Sequence, residues 1–245
     1  MLVNGKDIIM YNAQLLAREI QPTQVTIYDD WLRNAPNPLL LGKQETFKQI
    51  IIHLVFNSVI DENALTDISN LMAQLSVCTI KFDDLSFYYD CTIVSSTSSS
   101  VVREAEGIFS VDVELKSAYA YKPRLTTTLF NVEGKNINVL GNLPSPAVIT
   151  ITPHDANIFA ITIGGFDGGG FNKDGSRHGE ITILNLINNA PTIIDGENFT
   201  ILCSGLNKFK DTEMEDYPIL HPGINSIYTN LLNCNIEISY KPKFM

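Results

Sequence analysis

The sequence predicts a mainly β protein, an α+β first unit carrying a single helix followed by a β-sandwich. Three observations predict it. Apolar, β-branched runs recur along the chain and are punctuated by Gly, Pro, Asn and Asp, the pattern of strands and turns. Only one stretch, Asp61 to Leu75, places apolar residues at helical spacing. The second half shows strand after strand with no helical period, as a sandwich requires.

The opening residues Leu2-Val3, Asn4-Gly5 and Lys6 to Ile9 predict a small hairpin, because Asn-Gly supplies the positive φ of a tight turn. Strands follow at Asn12 to Ile20 and Val25 to Tyr28. The segment Trp31 to Gly42 holds Pro36 and Pro38 and is expected to be a loop. Phe47 to Phe56 is almost continuously apolar and β-branched, which suits a strand buried on both faces, with His53 as a satisfied core residue. The helix should start at Asp61 as N-cap, with Glu62 in its first turn and a stripe of Leu65, Ile68, Leu71, Met72 and Leu75 facing the core. Its polar face has no basic residue for a phosphate backbone. Strands return at Val77 to Phe82 and Ser86 to Val94. Ser95 to Ser100 reads as a flexible connection. Phe109, Val111, Val113 and Leu115 alternate with polar residues, marking a strand with one wet face.

Tyr119 to Pro123 looks like the exit from this unit, and the division is placed at residues 1–130 and 131–245. Beyond the exit, strands are expected at Leu125 to Asn131, Lys135 to Leu140, Ala147 to Thr152, Ile158 to Ile163 and Glu180 to Leu186. Four more are expected at Thr192 to Ile194, Phe199 to Cys203, Ser226 to Leu231 and Cys234 to Tyr240. Two turns organise this half. Asp195-Gly196 sits between apolar runs as a tight hairpin, with Gly196 taking the positive φ. Pro222-Gly223-Ile224-Asn225 leads into the last strands.

Composition narrows the function. A chain of 245 residues, 44% hydrophobic and 18% charged, can build real cores, and its length suits two units. A net charge of −10 argues against a general binder of nucleic acid or anionic membrane. No apolar stretch approaches a membrane span, and the start lacks a basic region followed by an apolar one, so neither membrane segment nor signal peptide is expected. Cys78, Cys91, Cys203 and Cys234 form no CxxC and no Cys/His cluster. They read as buried thiols, although Cys78 and Cys91 flank one turn and could oppose each other.

Gly164 to Gly170 is the segment closest to a chemical motif. It lacks the Gly-Lys-Ser/Thr ending of a phosphate loop and the following helix of a dinucleotide site. Asn172 to Gly175 resembles half of a calcium loop, with Gly170 where the first acidic ligand belongs. It is expected to be a hairpin loop. The four histidines, His53, His154, His178 and His221, lie far apart, and no Gly-x-Ser-x-Gly elbow accompanies them. No catalytic residue, metal or cofactor is therefore expected. Sugar binding is the stronger rival; the aromatic residues on offer are Phe166, Phe171, Tyr217 and Tyr228, with the lone Trp31 in the first unit.

In order and spacing the segments resemble the distal tail proteins of long-tailed, non-contractile bacteriophages. The marks are the opening hairpin at Asn4-Gly5, the helix Asp61 to Leu75, the hairpin from Lys81-Phe82-Asp83 to Tyr88-Tyr89, and the exit Tyr119 to Pro123. The strand Ala147 to Thr152 after Pro144, the hairpin Ile194-Asp195-Gly196, the turn Pro222-Gly223-Ile224-Asn225 and the strand Ile236 to Tyr240 complete the series. The resemblance covers nearly the whole chain. It implies a ring-forming belt domain over residues 1–130 and a galectin-like sandwich over 131–245. It also implies a homohexameric ring between tail tube protein and tail tip protein, with receptor-binding proteins as further partners and DNA passing through the channel. The place implied is the tail tip of the virion, after assembly in the bacterial cytoplasm. A glycan-binding adhesion module is the alternative. The residues singled out are the structural turns Asn4, Gly5, Asp195, Gly196, Pro222, Gly223 and Asn225.

Overall fold

A computed structural model of the chain describes residues 1–30, 37–94, 101–155, 158–166 and 179–245. The chain divides into two compact units, Met1–Tyr121 with Met245, and Lys122–Phe244.

The first unit contains strands β1 (Leu2–Val3), β2 (Lys6–Asp7), β3 (Ala13–Ile20), β4 (Val25–Asp30), β5 (Leu39–Glu45) and β6 (Lys48–Asn57). Helix α1 (Asp61–Leu75) follows, then β7 (Val77–Lys81), β8 (Tyr88–Ile93), β9 (Val101–Ala105) and β10 (Ile108–Tyr121). The main sheet runs β2-β1-β7-β8-β10-β6-β3, with β9 also paired to β10, while β4 and β5 form a separate ribbon. Its spine is β6 against β10, paired from Ile108↔Asn57 to Ser117↔Lys48.

Several expectations for this unit are corrected. Strand β6 buries only alternate residues, Ile50, Ile52, Leu54 and Phe56, while Ile51, His53 and Val55 lie on a half-buried second face. His53 is therefore no core residue; it meets Asp112, its register partner on β10, at 2.6 Å. Leu39 to Gly42, expected as loop, belongs to β5. Pro38 lies just before that strand, so it removes no ladder donor. Strand β9 had no sequence expectation. Ser95 to Ser100 lies outside the described residues.

Helix α1 buries Ala64, Ile68, Leu71 and Leu75, whereas Leu65 is exposed. Ala64 replaces Leu65 because it falls one helical turn before Ile68 on the same face. Asp61 is the first helical residue, and Ile60 occupies the N-cap position without a side-chain bond. The Asp61 carboxylate is engaged elsewhere, accepting from the Gly107 N–H at 2.7 Å and from Arg103 Nε at 2.8 Å. Those two bonds, the Gly107 one foremost, hold its pKa below the usual carboxylate range. They pin the helix start to the turn between β9 and β10.

At the far end of the sheet, Arg18 on β3 reaches both carboxylate oxygens of Asp84 in the β7–β8 turn, with Nη1–Oδ1 at 2.6 Å. Its guanidinium lies 4.4 Å from the centre of the Phe82 ring. Strand β3, at one end of the sheet order, is therefore tied to the turn between the interior strands β7 and β8. The depression between them, about 390 Å³, is lined by Met1, Asp7, Ile8, Leu15, Arg18 and Asp84 among others.

Cys78 and Cys91 are register partners on β7 and β8, and all four cysteines are buried with free thiols. Burial pushes the Cys78 pKa up to about 12 and raises that of Cys91 as well, so neither is poised to react. Protein lysed with thiols blocked should show four alkylatable cysteines by mass spectrometry. A Cys78–Cys91 bond in that sample would refute this.

The second unit comprises β11 (Leu125–Phe130), β12 (Gly134–Val139), β13 (Ser145–Pro153), β14 (Ala160–Gly164), β15 (Ile181–Leu184) and β16 (Thr192–Asp195). It continues with β17 (Thr200–Cys203), β18 (Leu206–Asn207), β19 (Thr212–Met214), β20 (Ile219–Leu220), β21 (Gly223–Thr229), β22 (Cys234–Tyr240) and β23 (Lys243–Phe244). One sheet runs β11-β22-β13-β16-β17-β18 and the other β12-β21-β14-β15-β19. Alternate residues from both sheets, including Ile149, Ile238 and Ile194 from one and Ile137, Ile161 and Ile183 from the other, form a single buried cluster. That is a sandwich core. The short strands β18, β19, β20 and β23 were not foreseen.

The division between the units falls after Tyr121, not after residue 130. Leu125–Phe130 pairs along its whole length with Cys234–Tyr240 and so completes the second unit's sheet. A fragment of Lys122–Phe244 should fold alone with a β-type far-UV circular dichroism spectrum. A fragment starting at residue 131 should fold less well, because it strips the partner from one edge of β22. An unfolded spectrum for the longer fragment would show that this unit needs the first.

Candidate assembly surfaces

The predicted turn residues serve three different purposes. Asn4 and Gly5 both take positive φ, 51° and 77°, and close the Val3↔Lys6 pair, as expected of Asn-Gly. Asn4 does more than turn. Its N–H donates to the Thr79 carbonyl and its Oδ1 accepts the Thr79 N–H, both at 2.9 Å, which ties the hairpin tip to β7.

Asp195-Gly196 is not a two-residue turn with Gly196 at positive φ. Asp195 pairs with Thr200, so the loop is Gly196 to Phe199, and the left-handed residue is Phe199 at φ 55°. Gly196 is required by closeness instead. A Cβ there would lie 2.7 Å from the Ala147 carbonyl oxygen and 2.8 Å from that of Pro218. The Asp195 carboxylate accepts the N–H groups of Glu197 at 2.8 Å and Asn198 at 3.0 Å, together with Asn198 Nδ2 at 2.7 Å. Partial burial pushes its pKa up, but the bonds from Asn198 and Glu197 outweigh that and leave it lowered. Phe199 is 68% exposed and meets Tyr217 edge to face, and the Tyr217 hydroxyl donates to its carbonyl at 2.8 Å.

Gly223 takes φ 96° after Pro222, at the start of β21. Asn225 is buried and stitches this turn. Its Nδ2 donates to the carbonyls of His221 at 2.7 Å and Gly223 at 3.2 Å, and its Oδ1 accepts the His221 N–H at 3.1 Å. The predicted turn residues thus each secure the local turn to which they belong.

Of the residues proposed for sugar contact, Phe166, Tyr217 and Tyr228 are described. Phe166 is buried in the sandwich core, the Tyr228 hydroxyl bonds Glu180, and that of Tyr217 is held by Phe199. Trp31, Phe171, His178, the segment Asp167 to Gly170 and the calcium-like Asn172 to Gly175 lie outside the described residues. His154 Nδ1 meets Asn189 Oδ1 at 3.3 Å. Among the described residues no group of three or more His, Cys, Asp or Glu side chains could hold a metal, and no helix is long and apolar enough to cross a membrane.

What the first unit exposes is more distinctive. Every residue of β4 is exposed, and Leu39, Leu40 and Leu41 of β5 are 52%, 65% and 65% exposed. Val25, Ile27 and Tyr28 are exposed beside them. The outer face of β7, β8 and β10 carries Val77, Lys81, Tyr88, Asp90, Lys116 and Tyr121. Tyr88 and Tyr121 stack at 5.6 Å, and Asp90 Oδ1 accepts from Thr79 Oγ1 at 2.6 Å and from the Tyr121 hydroxyl at 3.0 Å. Burial, followed by the Asp90 charge, pushes the Tyr121 pKa up to about 12. The sequence held no signal for this surface, because its residues look like ordinary strand residues until the pairing is known.

The fold of the chain occurs in solved structures. The SPP1 Dit protein (gp 19.1), described as a paradigm of the hub adsorption apparatus in Gram-positive-infecting phages, matches with a TM-score of 0.76. The match covers 100% of this chain and 98% of that one at 12% sequence identity. This chain has the Dit fold. Two structures of the phage P2 baseplate in its activated conformation, with Ca and with Sr, match at TM-scores of 0.56 and 12% identity. They cover 97% and 96% of this chain and 92% of each of those. No protein-family model and no curated protein matches the sequence. At 12% identity the correspondence with Dit is one of fold, and it holds from end to end across both units.

Proposed function

We propose that this protein is a structural component of a bacteriophage tail tip. It assembles as a homohexameric ring that joins the tail tube to the tip adsorption apparatus and leaves a channel for DNA. The observation that carries the reading is the full-length correspondence with SPP1 Dit, a hub protein by its description. An isolated likeness in one sandwich would say little about role; agreement over both units, in order, says more. The first unit makes the ring. The partners are further copies of the chain, a tail tube protein, a tail tip protein and receptor-binding proteins. The location is the virion after assembly in the host cytoplasm. DNA only passes through, and the net charge of −10 suits a wall along which a polyanion slides. The role requires no catalysis and no cofactor.

Light scattering coupled to size exclusion, with negative-stain images of the peak, tests this. A ring of six is expected. A monomer that persists at high protein concentration overturns the reading.

A further inference from the structure

We propose that Phe199 and Tyr217 form the platform of a carbohydrate site on the second unit, which takes an uncharged pyranose ring of a bacterial surface polysaccharide. The inference is independent of the ring reading and adds a binding activity to it. It starts from a residue whose backbone does not suit its side chain. Seven non-glycine residues take positive φ among the described residues. Five are asparagines, which tolerate the left-handed region, and one is the small Ser204. The seventh is Phe199 at φ 55°. A bulky side chain there is an outlier, and such strain persists only where the surroundings enforce it. Core packing does not explain it, because the ring is 68% exposed.

The surroundings do enforce it. Every residue of the loop Gly196 to Phe199 is held. The Gly196 N–H donates to the Ala147 carbonyl, and Arg124 and Lys241 reach Glu197 Oε2 at 2.6 and 3.3 Å. Asn198 bonds the Asp195 carboxylate, and the Phe199 carbonyl accepts the Tyr217 hydroxyl. A loop fixed in this way around an exposed, strained aromatic is preorganised for a ligand, since little ordering is left for the binding step. The two rings stand 82° apart with their centroids at 5.2 Å, a corner in which one offers its face and the other its edge. The C–H face of a pyranose suits an aromatic face, and its hydroxyls need polar partners at the rim. Each ring has an acceptor beside it in the chain. Asn198 gives its Nδ2 to Asp195, and its Oδ1 takes no hydrogen bond among the described residues. Asp216 is exposed, and its carboxylate is in no ion pair among the described residues. That uncompensated charge selects against a phosphorylated or acidic sugar and in favour of a neutral one.

The test probes an array of neutral bacterial cell-wall polysaccharides, printed beside teichoic acids, with the full chain. Biolayer interferometry then measures the affinity for each polysaccharide that retains it. Phe199→Asn places at φ 55° a residue that tolerates it, so its melting temperature should match or exceed the parent's. Its binding should nonetheless fall about tenfold or more, as for the loss of an aromatic anchor. Asp216→Asn should keep the melting temperature and weaken binding severalfold. Phe159→Asn, at a 74% exposed site just before β14, should change neither. Retention on no neutral polysaccharide overturns the proposal, as does retention on teichoic acids alone, whose phosphates Asp216 would repel. A Phe199→Asn variant that binds as the parent does overturns it as well. If that variant melts below the parent, Phe199 is a packing residue and the proposal fails on that ground. None of these results bears on the ring, which light scattering tests by itself.

Discussion

Replacing Leu71 with Asp is expected to unfold the first unit at neutral pH. Leu71 has no solvent exposure and sits on the buried stripe of α1 with Ala64, Ile68 and Leu75, facing the main sheet. Removing a fully buried leucine costs about 1.5–3 kcal/mol. An ionised carboxylate without a partner there costs several kcal/mol more, so the group neutralises and its folded pKa rises. With the folded pKa above the unfolded one, the added loss is smallest below about pH 4 and grows as pH rises through the folded value. Chemical denaturation of the variant beside the parent at pH 4 and pH 7 measures this. Leu65→Asp on the same helix should cost little, because Leu65 is half exposed. Equal losses at the two positions would refute the assignment of the buried face. Ring formation should be lost with Leu71→Asp, but only as a consequence of the fold.

That pair of leucines also shows what sequence could and could not reveal. The helix was legible because five apolar residues repeat at its period, but the stripe is wide enough to include a residue that ends up outside. Ala64 is too small to stand out in a hydrophobic pattern. The period of two in Phe109 to Leu115 and the series of short strands were legible for the same reason, since each turn leaves its own chemical mark. Pairing was not. Leu125–Phe130 was assigned to the first unit by the placed boundary, and only its non-local ladder with Cys234–Tyr240 moves it. Half of the ribbon is legible, since Val25 to Tyr28 reads as a strand, but Pro36 and Pro38 dominate the local reading of Trp31 to Gly42 and hide β5. A proline just ahead of a strand costs that strand nothing. The assembly surface was illegible for a more general reason. An exposed leucine and a buried one are the same letter, and exposure is a property of the partners.

The turn at Asp195-Gly196 supplies the second large effect. Gly196→Asn is expected to cost about 1–3 kcal/mol, the range for forcing a side chain into packed space. Its reason is not conformational freedom. The space for a Cβ is closed by the carbonyl oxygens of Ala147 and Pro218, and backbone atoms cannot swing aside as a flexible side chain can. Relief would stretch the Gly196 N–H bond to Ala147, 2.9 Å, or the Ala147 N–H bond to Pro218, 2.9 Å. Those bonds hold the loop and the segment before β20 onto β13. Gly5 supplies the control. It has φ 77° with nothing within 4 Å of a Cβ, so Gly5→Asn keeps a residue that tolerates the left-handed region and meets no wall. Its cost should stay below about 1 kcal/mol. In a unit of this size a loss of 2 kcal/mol lowers the melting temperature by roughly 4–10 °C. Differential scanning calorimetry should find that drop for Gly196→Asn and almost none for Gly5→Asn. If the two variants lose the same stability, both glycines serve as turn formers, and the close approach of Gly196 to Ala147 and Pro218 is not what requires it.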